Sequence, residues 1–238
     1  MKKSTTYFVS SLNGNDENDG LSESTAFKSL NKINEIELAP GDKVFLLKGS
    51  VFENEFLHLK NCDLPRINTN GKGVWYQDYG NELDFGGHVY KGNVSSAILL
   101  YDVENILIKD IEITNKENFK DMESYCAADK MDRTGVAAVA KNRGTLHSFT
   151  LDNLFIHDIN GNVYNKHMNN GGIYMTCFKP DDEEKTGVAR YDGVTVENCF
   201  VKNVSRWGIA VGYSYRHKDF ATKELSEETL KKLYLIHI

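Results

Sequence analysis

Three apolar segments of this chain, GVAAVA, GGIYM and GIAVG, each follow a polar side chain at the same distance. Arg133, Asn170 and Arg206 lie two residues before the aligned glycines of these segments. An arginine guanidinium can hold a carboxylate through two parallel hydrogen bonds, and it also donates to hydroxyl groups. If the three segments are neighbouring strands, the three side chains form one row, which we predict to bind an acidic or hydroxyl-rich ligand. Alternatively, the two arginines form ion pairs that fix the neighbouring loops.

An aromatic side chain lies on the middle segment. Tyr174 occupies the position that Ala137 and Ala210 have in the other two segments, and alternation along a strand points all three outward. A ring on a floor of small residues can pack against a flat ligand, so we predict that Tyr174 binds one. The alternative is a ring packed beneath an inserted loop. Further cationic and aromatic candidates for binding follow the last segment, namely Tyr215, Arg216 and His217.

The elements that position these residues repeat along the chain. Units of similar sequence recur after 43 and then 45 residues, each with alternating apolar positions and with Asp110, Asn153 or Asn198 at a bend. Each unit is accompanied by one of the apolar segments, which gives three strands per repeat. The pattern predicts an all-β parallel solenoid in which the three bend residues lie about 4.8 Å apart. The alternative is a β-sandwich with three unrelated strand–turn–strand units. The matched apolar positions are Ile106, Ile108, Ile111 and Ile113, then Phe149, Leu151, Leu154 and Ile156, then Val194, Val196, Cys199 and Val201.

We divide the chain into two regions. Residues 1–50 are predicted to form an N-terminal cap with the first coil strand, including a helix at residues 25–36 whose apolar side chains have helical spacing. Residues 51–238 are predicted to form the coils, with long inserted loops between strands. Loops on a rigid scaffold are common sites of binding and catalysis. The insertions fall at residues 116–133, 160–170, 178–191 and 214–230.

Composition argues against several classes of partner. The 238 residues carry a net charge of -6 and no basic tract, so we expect no nucleic-acid partner, and no apolar run is long enough for a membrane span. The start MKKSTTYFVSS lacks the apolar stretch of a secretory signal, so we expect a cytoplasmic protein unless a signal precedes it. The four cysteines show no CxxC spacing, which indicates reduced thiols rather than disulfides or a zinc site.

The turn NGNDENDG offers hard oxygen ligands for calcium at Asn15, Asp16 and Asp19. It departs from the EF-hand pattern, because Ala26 stands where the twelfth position needs a bidentate Glu. A solvated turn is therefore the favoured interpretation, and a calcium site is the alternative.

Three stretches near the N-terminus carry a family resemblance, namely YFVSSLNGND, DGLSESTAFKSL and LAPGDKVFLLKGSVF. Together with the later repeats they resemble right-handed parallel β-helix proteins of the pectate-lyase-like superfamily, and more narrowly the β-helix glycoside hydrolases of gut bacteria. The resemblance implies a right-handed β-helix that binds polysaccharide or oligosaccharide in a groove along its stacked strands and cleaves it by hydrolysis or elimination. The calcium and arginine motifs of pectate lyases are not found in this sequence, which counts against the lyase reaction.

Hydrolysis of a glycosidic bond requires two carboxylates, about 5 Å apart for retention or about 6.5–9.5 Å apart for inversion. Asp132 is the best-placed carboxylate, and His167 is a candidate acid, base or substrate contact. The acidic run at residues 181–183 is expected to be a solvated loop. We therefore predict a polysaccharide glycoside hydrolase, or the N-terminal part of one, without a convincing second carboxylate. A non-catalytic glycan-binding or adhesive solenoid and a polysaccharide lyase are the alternatives.

The C-terminal residues suggest why a second carboxylate is missing. Residues 226–233 are predicted to form a short helix with Ser226 as its N-cap, and the apolar sequence LYLIHI follows it. An apolar strand without a cap is typical of a solenoid interrupted in the middle, so we expect a truncated chain with weak or absent catalysis. Its unpaired edge is expected to promote self-association through the C-terminal end.

Overall fold

The computed structural model describes residues 4–53, 55–60, 66–69, 72–74, 82–85, 88–91, 94–116, 132–161, 170–212 and 215. In this part of the chain β-strands dominate, and the two α-helices, α1 (Leu30–Glu35) and α2 (Glu183–Thr186), are short. The strands are β1 (Thr6–Val9), β2 (Lys43–Leu46), β3 (Val51–Glu53), β4 (Leu57–Lys60), β5 (Arg66–Thr69), β6 (Lys72–Val74), β7 (Glu82–Phe85), β8 (His88–Lys91), β9 (Val94–Tyr101), β10 (Ile106–Lys109), β11 (Glu112–Asn115), β12 (Asp132–Ala140), β13 (Thr145–Asp152), β14 (Phe155–Ile159), β15 (Gly171–Cys177), β16 (Arg190–Glu197), β17 (Phe200–Val204) and β18 (Trp207–Val211).

Three parallel sheets organise the described strands. Sheet A contains β1, β2, β5, β10, β13 and β16 in this spatial order, sheet B contains β3, β6, β11, β14 and β17, and sheet C contains β4, β9, β12, β15 and β18. From β2 onward the chain passes through sheets A, B and C in turn, so neighbouring strands of one sheet are separated by a whole circuit. The strands β7 and β8 form an antiparallel hairpin outside these sheets. The predicted all-β class and parallel pairing are confirmed, whereas the right-handed solenoid stays a prediction.

Residues that are one sequence repeat apart are paired on neighbouring strands. In sheet A, Ile106 pairs with Phe149, and Phe149 pairs with Val194. In sheet B, Ile156 pairs with Val201 at the corresponding position of the repeat. The apolar segments that precede and follow each unit are likewise neighbours in sheet C. A repeat of 43 to 45 residues therefore returns the chain to the next position of the same sheet.

On one face of each of the three sheets, the side chains point into a common interior. Ile108 and Leu151 of sheet A, Ile156 of sheet B and Val136 of sheet C are each 0% exposed and belong to one apolar cluster. Burial of this aliphatic surface stabilises the fold by about 25 cal/mol per Å². The opposite side of sheet C forms a second, smaller apolar cluster around Leu99, Ala137 and Val139, so this sheet is covered on both faces.

The bends between strands use left-handed backbone conformations in register. Asp110, Asn153 and Asn198 have φ values of 60°, 53° and 53°. Asn and Asp adopt such angles more readily than other non-glycine residues, which explains their recurrence. The same repeat places positive φ angles at Asn105, Ser148 and Gly193, and again at Asp158 and Asn203.

The N-terminal region departs from the predicted helix at residues 25–36. The chain instead forms a 3-10 turn at Glu23–Thr25 and then α1. Phe27 interrupts the helical pattern because it forms a parallel bridge with Val9, and its N–H donates to the Phe8 carbonyl at 2.9 Å. None of the helices in the described ranges is long and apolar enough to cross a membrane.

Two of the four cysteines lie in the described ranges. Cys177, at the end of β15, and Cys199, between β16 and β17, are free thiols that pack against the core. Burial raises the pKa of Cys177 to about 12, which makes this thiol unreactive at neutral pH. Cys62 and Cys126 lie outside the described residues.

Candidate functional site

The polar row predicted from the sequence lies at the start of the sheet C strands. The register of β12, β15 and β18 aligns Arg133 of β12 with Asn170 and Arg206, which directly precede β15 and β18. The three residues, which share one offset from their glycines in the sequence, are therefore also neighbours in the structure, as predicted.

The first two positions of this row are buried. The exposed fraction is 1% for Arg133 and 0% for Asn170, and the neighbouring Asp132 is 3% exposed. Asn170 Oδ1 accepts hydrogen bonds from the Arg133 backbone N–H at 3.3 Å and from the Ser205 hydroxyl at 2.9 Å. The predicted row is thus buried at Arg133 and Asn170, and ligand binding by these two residues stays a prediction. The physical reason for the burial of Asn170 is that a backbone donor away from water needs an acceptor, which the Asn170 side chain provides.

A glycine makes room for this arrangement. A Cβ atom on Gly161 would lie 1.9 Å from Asn170 Oδ1 and 2.5 Å from the Arg133 backbone nitrogen. No side chain larger than hydrogen fits at this position without displacing the amide. Gly161 is therefore part of the framework of the site, although no sequence motif marks it.

Tyr174 is in register with Ala137 and Ala210, as the alignment of the segments predicts. Its side chain is 3% exposed, which agrees with the alternative of a packed ring, and ligand binding by Tyr174 stays a prediction. Burial raises the pKa of the Tyr174 hydroxyl far above its usual range, and the negative charge of Asp132 acts in the same direction.

The remaining predicted binding residues are only partly described. Arg206 is partly buried and lies over the Trp207 ring, with 5.5 Å between Cζ and the ring centroid. The Tyr215 hydroxyl donates to Glu183 Oε2 at 2.8 Å. His167, Arg216 and His217 lie outside the described residues, as do residues 226–238.

The acidic run at residues 181–183 organises a loop instead of facing only solvent. Lys141 Nζ lies 2.6 Å from Asp181 Oδ1. The hydrogen bonds from Lys141 and Asn142 hold the pKa of Asp181 below its usual range. Asp182 is the N-cap of α2, since its Oδ1 accepts from the Lys185 N–H at 3.1 Å. The predicted solvated loop is exposed, but its carboxylates have partners.

The calcium candidates near the N-terminus hold their own turn together. Asp16 Oδ1 accepts from the Lys28 and Ser29 N–H groups at 2.8 and 2.9 Å. Asp19 Oδ1 accepts from the Leu21 N–H at 3.0 Å and the Thr25 hydroxyl at 2.6 Å, and Asn15 Oδ1 accepts from the Glu17 N–H at 3.0 Å. These bonds favour the interpretation as a turn, and calcium here stays a prediction. In the described part of the chain no group of three or more His, Cys, Asp or Glu side chains is arranged to hold a metal ion.

His157, which is not among the residues predicted from the sequence, lies between two carboxylates in the structure. His157 Nε2 lies 3.0 Å from Glu112 Oε1, and Nδ1 lies 2.7 Å from Asp158 Oδ2. Alternation within FIHDI turns His157 away from the apolar interior, and the 43-residue repeat brings β11 beside β14. These two signals together could have identified the cluster.

Comparisons with known proteins point to carbohydrate-active enzymes. No protein-family model matches the chain. It is 41% identical, over 256 residues, to a lacto-N-biosidase of Bifidobacterium longum subsp. longum, in an alignment that covers 88% of this chain. It is also similar to crystal structures of a GH136 lacto-N-biosidase from Eubacterium ramulus, in selenomethionine and native forms. These show 54% and 55% identity and TM-scores of 0.80 and 0.81, and both cover 95% of this chain.

The chain spans 16% of the Bifidobacterium relative and 39% of the solved Eubacterium chains. Its homologues are GH136 lacto-N-biosidases, a glycoside hydrolase family, which agrees with the predicted resemblance to glycoside hydrolases. The pectate-lyase-like superfamily stays a prediction.

Proposed function

We propose that the chain is part of a glycoside hydrolase of the lacto-N-biosidase type, which releases lacto-N-biose from an oligosaccharide. The similarity to the Eubacterium enzyme carries this proposal, since it combines at least 54% identity with a TM-score of 0.80 or above over 95% of the chain. The agreement in sequence and in fold extends over nearly the whole chain. The proposed substrate is an oligosaccharide and not the polysaccharide expected from the sequence.

The proposed fold is a right-handed parallel β-helix. The circuit through sheets A, B and C, the parallel registers and the in-register bends support it. A stack of this kind makes a rigid framework, so side chains at one position of successive strands form rows. We propose that the row at the start of sheet C borders the substrate.

Within this row we propose Asp132 as a catalytic carboxylate. A carboxylic acid beside the scissile bond protonates the leaving oxygen, and a second carboxylate attacks the sugar or activates water. Asp132 is 3% exposed and directly precedes Arg133, whose backbone N–H is bonded to Asn170. A low-dielectric setting of this kind strengthens electrostatic interactions with a bound substrate.

The remaining predicted residues are proposed to position the substrate. Arg206 and Tyr215 are both partly buried, and the Tyr215 hydroxyl donates to Glu183 Oε2 of α2, beyond the far end of β15. Arg133 and Asn170 are proposed to act as positioning residues, because Asn170 holds the backbone next to Asp132 through Arg133. His167, Arg216 and His217 stay candidates for contacts with the sugar.

A second candidate function is glycan binding without hydrolysis. The low exposure of Asp132, Arg133 and Asn170, at 3%, 1% and 0%, favours it, because buried side chains can serve the fold alone. In that case the surface residues of the chain would hold an oligosaccharide that another catalytic centre cleaves.

Release of 4-nitrophenol from 4-nitrophenyl lacto-N-bioside tests the proposal. We expect turnover by the wild-type chain and a loss of at least about 100-fold in Asp132→Asn, which keeps the size of the side chain but cannot donate or accept a proton. Asp182→Asn is the matched control, since Asp182 is an exposed cap of α2. Binding of lacto-N-biose without turnover would favour the second candidate.

A further inference from the structure

The outer side of sheet B carries a second group of polar and aromatic side chains, away from the row at sheet C. Glu112, Phe155 and Phe200 are register partners on three successive strands. One step along the strands, His157 pairs with Lys202. Their neighbours in sequence, Ile113, Ile156 and Val201, point into the core instead. We call the outward group, with Asp158, the sheet B surface.

Hydrogen bonds fix the polar part of this surface. Both ring nitrogens of His157 contact a carboxylate, and the His157 side chain is 14% exposed while those of Glu112 and Asp158 are 24% and 32% exposed. Asn203 Nδ2 also donates to Asp158 Oδ1. The three charged or polar groups are thus held in one orientation and still reach solvent. A preorganised set of acceptors loses little conformational entropy when a ligand binds.

Aromatic rings lie directly beside these groups. The Phe155 ring stacks on the His157 ring with 4.3 Å between centroids, and the Phe200 ring lies 5.7 Å from that of Phe155. Lys202 Nζ lies 5.1 Å from the Phe155 centroid. Phe200 is 59% exposed, although phenylalanine has no polar group that would favour contact with water.

One further polar atom adjoins the surface. Thr114 pairs with His157 on the neighbouring strand, and it is 9% exposed. Among the described residues its hydroxyl has no hydrogen-bond partner. A buried hydroxyl without a partner is unfavourable in free energy, and a ligand or water that reaches it would remove that cost.

We propose that the sheet B surface is a binding site for a neutral oligosaccharide, in which a sugar ring packs on Phe200 and its hydroxyl groups bond to Lys202 and to the carboxylates of Glu112 and Asp158, which His157 holds in place. Sugars present an apolar C–H face and a rim of hydroxyl groups, which matches an exposed ring bordered by fixed donors and acceptors. The site holds substrate at a distance from the row at sheet C. This inference rests on the proposed action on an oligosaccharide.

The charges of the surface select a neutral ligand. Glu112 and Asp158 bring two carboxylates to this surface, His157 contacts both of them, and Lys202 Nζ lies over the Phe155 ring. A sulfated or sialylated sugar would bring a further negative charge beside these carboxylates. Like charges at this range oppose binding.

Titration of the wild-type chain with lacto-N-biose, followed by calorimetry and by amide NMR shifts, tests the inference. We expect shifts at residues of β14 and β17 and a loss of affinity of about tenfold in Phe200→Ala, in line with the loss of one stacking contact. Phe200→Trp should retain binding because it keeps an aromatic face. Leu21→Ala is the matched control, since Leu21 is an apolar side chain that is 52% exposed elsewhere, and it should bind as the wild type does. A sialylated form of the disaccharide should bind more weakly than the neutral one.

Equal affinity of wild type and Phe200→Ala, or the absence of shifts in β14 and β17, would overturn the site. If the wild type then still hydrolyses the lacto-N-bioside, the proposed function stands without this surface. If shifts in β14 and β17 occur without turnover, the site stands and the proposed hydrolysis by this chain fails.

Discussion

The side-chain amide of Asn153 donates a 2.7 Å hydrogen bond to Oδ1 of Asp110, 43 residues earlier in the chain. Both residues have left-handed backbone, with φ values of 53° and 60°. Asn198, one repeat later, instead donates to Asp152 Oδ1 at 2.9 Å. The bend therefore combines a conformational requirement with a bond between successive strands, and the two contributions can be separated by mutation.

Asn153→Val is expected to lower the free energy of unfolding by about 2 kcal/mol, because a β-branched residue is strained at positive φ and the amide bond is lost. Asn153→Gly removes only the bond and is expected to lose about 1 kcal/mol. Urea unfolding followed by circular dichroism measures both values. Equal losses in the two variants would show that the backbone angle has no part in the effect.

Gly172→Ala is expected to lower the free energy of unfolding by about 2 kcal/mol, as overpacked cores do. A Cβ atom there would lie 2.5 Å from the Gly208 carbonyl oxygen and 2.6 Å from Val201 Cγ1. Gly208→Ala is the matched control from the next strand, since among the described residues its Cβ would meet nothing within 4 Å, and it should change stability by less than about 0.5 kcal/mol. Thermal unfolding of the pair is the measurement, and an equal effect in both variants would contradict the steric explanation.

Asp158 is expected to contribute stability that is lost in acid. Hydrogen bonds from His157 and Asn203 lower the pKa of Asp158 in the folded chain. A depressed pKa stabilises the folded state above the pKa of the unfolded chain, and this contribution disappears as the pH falls through the folded-state pKa. The difference in unfolding free energy between wild type and Asp158→Asn should therefore shrink from pH 6 toward pH 3.

The same pH series on His157→Gln provides the control. His157 is the main cause of the lowered pKa of Asp158, so the acid-dependent contribution of Asp158 should be smaller in this variant. A pH dependence that is unchanged by His157→Gln would mean that the hydrogen bond to His157 does not stabilise the ionised carboxylate.

Tyr174→Ala is expected to lower the free energy of unfolding by about 3–5 kcal/mol, because removing a buried ring leaves a cavity. The ring is 3% exposed, so loss of binding in this variant would not identify a ligand contact. Tyr174→Phe keeps the volume and removes only the hydroxyl, and Arg206→Ala changes a partly exposed residue. If the row at the start of sheet C binds the substrate, both variants should bind lacto-N-biose more weakly and keep the melting temperature within a few degrees. Unchanged binding in both would assign these residues to the fold.

The sequence determined the parts of the structure that depend on local chemistry. Alternating aliphatic positions repeated every 43 or 45 residues predicted parallel strands in register, since only one register keeps every apolar side chain inside. Asp110, Asn153 and Asn198 predicted the bends, because Asn and Asp tolerate the left-handed backbone. The offset of Arg133, Asn170 and Arg206 from three glycines likewise predicted their alignment in sheet C.

The tertiary structure decided what each aligned position contacts. Alternation shows that Tyr174 leaves the interior, but it does not show that other parts of the molecule cover the outer side of sheet C and bury the ring to 3%. The role of Asn170 depends on the Arg133 backbone N–H of β12 and on the Ser205 hydroxyl before β18, and both donors are distant from Asn170 in sequence. His157 meets Glu112 only because a full circuit of the chain brings β14 beside β11. The burial and the hydrogen bonds of a side chain depend on surroundings that are assembled from distant segments. The repeat therefore determines which residues are neighbours, and the packed fold determines whether they face a ligand.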